Sequence, residues 1–426
     1  MPAIDFRWVV RRFLATLPVV FVAVVSLIWT YCSVDFFVRW GYRIFTGVKL
    51  IGQKPVGGDF SYYWVASQLA LAGDPAAVYD PARLQAALAA LFGLPFALHF
   101  FYPPNFLLAV LPFALLPYHA SLAVWLLSTM AAYLWVIRRI APHWLAVVAG
   151  LMFAGAVANF GYGQNGFLST ALLGGGLLLL DEAPLAGGLL LGLLTYKPHL
   201  AVLAPLALIA GRRWRALAAM AASAAGLILA SGLLLGYGVW QVFLREIIPG
   251  FLKSLGAGQV MAAGAFPWAK MPTVFSAIYA AGLGFWPAII MQGLITLSVT
   301  ILVWRGWSQE VSPAMRGTLL VLGTLLFSPY LMVYDLCLLA LPLAWLAWDG
   351  HLYGWFPGEP YLLFICWMMP MFSEAIAKAT SLPLTPLFLL LLVYLAWRRL
   401  PGRRPGALVG VSRESEPLAG SKVSWG

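Results

Sequence analysis

In the segment Gly57-Gly58-Asp59-Phe60-Ser61-Tyr62-Tyr63-Trp64, a carboxylate stands between paired glycines and a band of aromatic residues. The chain has only 15 acidic residues among 426, so a carboxylate so placed is a candidate for taking up a proton. It can equally cap a helix over Phe60–Leu71, and the two roles are compatible because each needs one oxygen. Lys197, followed by Pro198 and His199, is a second candidate. A lysine between two apolar runs is costly unless it reaches water or an anion, and simple snorkelling would also relieve it. Gln164 and Asn165, flanked by Gly163 and Gly166, can offer amide donors and acceptors to hydroxyl groups, or merely turn the chain. His99 and Tyr102, just before Pro103-Pro104, can line the same space. Tyr334 with Asp335 can contact a polar ligand or start a helix, and Lys253 and Lys270 can steer an anion or stay solvated. Asp74 and Asp80 each precede a proline and read as helix or turn caps, while Asp35 reads as an interfacial residue.

The elements that must carry these groups are membrane helices. Hydrophobic residues make up 62% and charged residues 10% of the chain, against roughly 45–50% and about 25% in soluble domains. Long Leu/Ala/Val-rich runs without alternation favour helices over a β-barrel. The net charge of +11 does not point to nucleic acid. Its basic residues cluster between apolar runs, at Arg138-Arg139, Arg212-Arg213, Arg305, Arg316 and Arg398-Arg399, and so report topology. With these clusters and both termini on the cytoplasmic side, twelve apolar segments cross, at about 14–36, 120–137, 144–160, 166–180, 184–196, 199–211, 216–236, 285–304, 315–330, 336–348, 361–373 and 386–397. Several are shorter than the roughly 20 residues a span needs. Residues 38–119 then lie outside, and Pro103–Pro117 reads as a partly inserted helix or tight hairpin there, because a crossing would turn the later basic clusters outward. Asp80-Pro81 starts a second amphipathic helix in this outer loop, with Leu84, Leu88, Leu91 and Phe92 on one stripe. Residues 1–400 form one integral-membrane domain, and the tail 401–426 reads as cytoplasmic and disordered. Cys32, Cys337 and Cys366 sit in apolar surroundings with no disulfide or metal-ligand pattern. No P-loop or HExxH occurs, and the first outer loop lacks an acidic pair of the DxD kind, so no metal or other cofactor is expected.

Taken in order, several motifs resemble glycosyltransferase family 87, a group of polytopic enzymes with a GT-C fold. They are Gly58-Asp59-Phe60 with Tyr62-Tyr63, Ala72-Gly73-Asp74-Pro75 leading to Val78-Tyr79-Asp80, Phe101-Tyr102-Pro103-Pro104, Gly163-Gln164-Asn165, Lys197-Pro198, and Gly211-Arg212-Arg213-Trp214-Arg215. The resemblance covers about residues 55–345. It implies an integral-membrane hexosyltransferase that moves one sugar, mannose in its better-understood members, from a polyprenyl-phosphate carrier to a lipid or glycan acceptor. Transfer would be inverting and would take place on the outer face of the cytoplasmic membrane. Asp59 matches the family's catalytic acidic residue and would be the general base. Lys197, His199, Gln164, Asn165, Tyr102, His99 and Tyr334 would bind the substrates, and membrane lipids would be the other partners. Composition alone would also suit a transporter or lipid flippase, or a polymerase or ligase of lipid-linked glycans. Transporters, however, keep ionisable residues near the midplane in matched halves, whereas here the polar residues gather on one side and the two halves differ.

Overall fold

The computed structural model describes residues 6–51, 54–93, 100–256 and 268–400. His99 and the tail 401–426 lie outside the described residues. The fold is an all-α polytopic bundle. The strands Leu50–Ile51 and Lys54–Pro55 pair over two residues each, just before the Asp59 segment.

Each of the twelve apolar segments is helical. Six described helices are long and apolar enough to cross a membrane: Pro18–Phe45, Tyr118–Ile140, Trp214–Leu235, Phe285–Ser308, Val333–Tyr353 and Glu359–Thr380. Trp144–Leu151 and Ala154–Tyr162 make a seventh only as a pair bent by 50°. The other five, Gly166–Leu179, Pro184–Tyr196, Pro198–Ala210, Pro313–Phe327 and Thr385–Arg398, are shorter apolar helices. Pro104–Leu115 is likewise short. At 1.5 Å per residue its twelve residues rise about 18 Å, well under the thickness of a hydrocarbon core. Phe106, Leu107 and Val110 are fully buried in the protein.

Small residues bring the central helices close. Helices Pro184–Leu193 and Trp214–Leu235 meet at Gly188 and Gly192, where a Cβ would lie 2.1 Å from the carbonyl oxygen of Ala216 and 2.4 Å from that of Met220. Two glycines one helical turn apart let the backbones touch, the usual device where lipid provides no hydrophobic drive between helices.

The loop after the first span folds into two helices. Phe60–Leu71 has the predicted bounds, and all of its first two turns except Trp64 is buried. Pro81–Phe92 buries Leu84, Leu88 and Phe92 along one stripe. Asp80 caps it by accepting from the backbone N–H groups of Ala82 and Arg83, and Asp74 accepts from that of Ala77. Asp59 departs from expectation: it precedes Phe60 but its side chain caps nothing.

At the opposite end, the basic clusters act as latches as well as topology signals. Asp181 pairs with both Arg213 and Arg316. Arg399, only 1% exposed, donates to Glu359 at 2.5 Å, Asp349 at 2.7 Å and the Gly354 carbonyl at 3.1 Å. It therefore joins the ends of three helices. Removing one member of a buried ion cluster leaves uncompensated charge and costs about 3–5 kcal/mol. Arg399→Ala should accordingly lower the unfolding midpoint of the detergent-solubilised protein sharply, and an unchanged midpoint would mean the cluster contributes nothing to stability.

Candidate active site

Two loops distant in sequence cross at the base of a cavity of about 230 Å³. One is Gly57-Gly58-Asp59. The other is the turn after helix Ala154–Tyr162, where Gly163 adopts φ +64° as the left-handed cap. A Cβ on Gly163 would lie 2.0 Å from the Gly57 carbonyl oxygen, and one on Gly58 would lie 2.9 Å from that of Tyr162. Only glycine permits both the conformation and the contact. The backbone N–H of Asp59 donates to the Tyr162 carbonyl at 2.8 Å, which fixes the two loops in register.

That crossing sets Asp59 against Gln164. The Gln164 Nε2 donates to Asp59 Oδ2 at 2.6 Å. The orientation of the amide is determined on its other side, because Gln164 Oε1 faces the backbone N–H of Asn165 at 3.3 Å, a group that can only donate. The hydroxyl groups of Tyr63 and Tyr102 donate to the same oxygen, and Asn165 Nδ2 donates to the Tyr63 hydroxyl at 3.3 Å. No other hydrogen bond to the Asp59 carboxylate occurs among the described residues, so its second oxygen is available as an acceptor. Burial pushes the Asp59 carboxyl above its ordinary value, while the Gln164 hydrogen bond, Lys270, Lys197 and Lys54 pull the other way. A raised carboxyl is a better proton acceptor near neutral pH than a fully solvated one.

The far side of the cavity carries a buried ion pair. Lys197 Nζ donates to Asp335 Oδ1 at 2.5 Å, and the lysine and aspartate are 4% and 1% exposed. The ammonium also lies 5.0 Å from the Tyr334 ring centre and 5.9 Å from that of Tyr102, within range for cation–π attraction. Asp335 Oδ2 accepts from the Met332 N–H at 3.1 Å and lies 3.9 Å from His199 Nε2. Lys197 is therefore not a lone snorkelling cation, because its charge has a partner inside the protein.

Of the residues singled out in the sequence, Asp59, Tyr102, Gln164, Lys197, His199 and Tyr334 line this one cavity. Asn165 does not. It is fully buried behind Gln164, and its part in the arrangement is to orient that amide and the Tyr63 hydroxyl. Asp335 and Lys270 line the cavity too, as do Tyr62, Tyr162, Tyr196 and Tyr330. The pairing of Lys197 with Asp335 had no local signal, since 138 residues separate them. Tyr63 was visible in the sequence only as part of an aromatic band. Among the described residues, no three His, Cys, Asp or Glu side chains gather as metal ligands.

A family profile described as glycosyltransferase family 87 matches residues 100–329, more than half of the chain. The chain belongs to glycosyltransferase family 87. No curated protein and no solved structure matches it. The protein is thus an integral-membrane glycosyltransferase, needing a sugar donor and an acceptor. The matched region holds Tyr102, Gln164, Asn165, Lys197, His199 and Lys270, whereas Asp59, Tyr334 and Asp335 fall outside it. What brings those three to the family's cavity is the fold.

The glycine crossing makes a sharp demand. Gly163→Ala would force the turn away from Gly57 and carry Gln164 off the Asp59 carboxylate. A displacement of about 1 Å at a reacting group can cost about 100-fold in rate, so kcat for glycosyl transfer should fall by about that factor in protein that remains monodisperse. Near-normal turnover would show that the crossing does not set the catalytic geometry.

Proposed function

We propose that this family 87 enzyme transfers a hexosyl group, mannosyl by the family resemblance, from a polyprenyl-phosphate carrier to a hydroxyl group of a lipid or glycan acceptor. The cavity would open to the outer face of the cytoplasmic membrane, and Asp59 would act as general base in an inverting displacement. The observation that carries the reading is the Asp59 carboxylate itself. It has one oxygen held by Gln164 and the other open to a cavity, with its proton affinity raised by burial.

In the step itself, the acceptor oxygen attacks the anomeric carbon and its proton passes to Asp59. The bond from that carbon to the phosphate oxygen breaks, and its electron pair leaves with the phosphate. Gln164, with its oxygen engaged by Tyr63 and Tyr102, holds the carboxylate in line during this transfer. Lys197 spends one N–H on Asp335 and keeps two for oxygen atoms of the donor. His199, Tyr102 and Tyr334 would contact the donor beside it, and the tyrosine rings offer flat faces to a pyranose. Support for the outer face comes from charge. Arg138-Arg139, Arg213, Arg316 and Arg398-Arg399 follow or precede helices at the ends away from the Asp59 and Gln164 loops, as the positive-inside bias would have them.

The direct test presents purified protein with a panel of polyprenyl-phosphate sugars and follows release of polyprenyl phosphate. Release with no member of the panel, from protein shown to be folded, would remove the carrier class from consideration. Asp59→Asn keeps the size and loses the proton acceptor, so it should lower turnover by about 10²–10⁴-fold without changing monodispersity. Activity in the wild type should rise with pH through the Asp59 titration, because only the ionised carboxylate can accept the proton. Since burial raises that carboxyl, the acidic limb of the kcat/KM profile should lie above the ordinary carboxylate value, and Gln164→Glu should move it higher still by adding a like charge. An acidic limb that is the same in both proteins would count against Asp59 as the base.

Orientation has its own check. In a Cys32→Ser background, an impermeant maleimide applied to intact cells should label Lys378→Cys and spare Arg139→Cys. The reverse pattern would put the cavity on the cytoplasmic face.

A further inference from the structure

The charged groups lining the cavity are equal in number but not all paired. Asp59 and Asp335 are the acidic members, and Lys197 and Lys270 the basic ones. Lys197 and Asp335 neutralise each other at 2.5 Å. Lys270 forms no salt bridge among the described residues. Its ammonium rests 4.8 Å from the ring centre of Tyr162, a neutral partner that leaves its charge intact. The nearby Glu374 is already engaged, by Lys378 at 2.6 Å and by the Tyr162 hydroxyl at 2.9 Å.

The turn Trp268–Lys270 explains why this lysine faces inward. Ala269 and Met271 on either side of it are buried, at 5% and 0% exposure, and the Trp268 carbonyl accepts from the Ser276 hydroxyl at 3.0 Å. With both neighbours packed into the protein, the long side chain between them is directed to the cavity, where it is half-buried.

We propose that Lys270, the cavity lysine without a salt bridge among the described residues, holds the phosphate of the lipid-linked substrate by charge, while Lys197, neutralised by Asp335, contributes hydrogen bonds. This rests on the reading of the cavity as a site for a lipid phosphate. The charge count of the reaction suits a cation that no salt bridge holds. A polyprenyl phosphodiester of a sugar brings one negative charge. As the glycosidic bond breaks, the phosphate gains a second, while Asp59 loses its own on taking the acceptor's proton. The total is unchanged, but the negative charge has moved from the carboxylate to the phosphate. Lys270, whose field already acts on Asp59, remains paired with the site's anions throughout. The dianionic product should therefore depend on Lys270 more than the donor does.

Binding of a short-chain polyprenyl monophosphate and of the matching uncharged polyprenol, followed by tryptophan fluorescence, tests this without any turnover. Wild-type protein should prefer the phosphate. Lys270→Met should lose about 10- to 100-fold of phosphate affinity, the range for losing one charge-assisted contact, and leave alcohol binding unchanged. Lys270→Arg should retain the preference within a few-fold. If Lys270→Met binds the phosphate as the wild type does, the assignment of Lys270 is overturned while the lipid-phosphate reading stands. If the wild type itself does not distinguish phosphate from alcohol, the lipid-phosphate reading fails and the assignment falls with it.

Discussion

The contact between Gly57-Gly58 and Tyr162-Gly163 is the constraint on which the site depends. Backbone meets backbone there with no room for a methyl group, so the loop bearing the carboxylate and the turn bearing the amide cannot slide independently. Everything that gives Asp59 its chemistry follows from that contact. Its hydrogen bond to Gln164, the tyrosines that orient Gln164, and the open second oxygen all presuppose that the two loops stay crossed. Precision is achieved here by shape, with main-chain atoms rather than flexible side chains setting the distance.

Around this rigid crossing the protein keeps two kinds of charge apart. At the end remote from the cavity, ionic groups are satisfied within the protein: Arg399 among Glu359 and Asp349, Arg213 and Arg316 on Asp181. These latches hold helix ends together. In the cavity one pair is closed in the same way, Lys197 with Asp335, and two groups, Asp59 and Lys270, are left without a salt-bridge partner among the described residues. Burying unpaired charge is expensive, and ionisable groups held that way are commoner at sites that bind ligands or move protons.

Much of this was legible in the chain. Apolar runs located every one of the twelve helical segments, because burial in lipid writes itself into composition over long stretches. Asp74 and Asp80 announced their caps through the proline that follows each. The bounds of Phe60–Leu71 were readable too, yet the cap that the same reading left open to Asp59 is one its side chain does not make. Capping is a local interaction and Gln164 lies 105 residues away, so the competing partner could not be seen. The same holds for Lys197 and Asp335, and for Asn165, whose amide read as a group offered to ligand hydroxyls and is enclosed behind the cavity wall. Pairings between distant helices depend on rotation and depth in the bundle, which residue types in one dimension do not carry.

The five short apolar helices have a consequence for the lipid around the protein. Gly166–Leu179, with 14 residues, rises only about 21 Å, against a hydrocarbon thickness of about 30 Å. Where such a helix crosses the membrane, the polar turns at its ends, including the one that carries Gln164, would sit at a depth that acyl chains otherwise fill. A bilayer accommodates a mismatch of this kind by thinning beside the short elements or by letting polar groups in at the rim, at a small cost per ångström. The Asp59 carboxylate would then lie below the ordinary head-group plane, and the thickness of the host membrane would become one of the quantities that set how readily the enzyme loads.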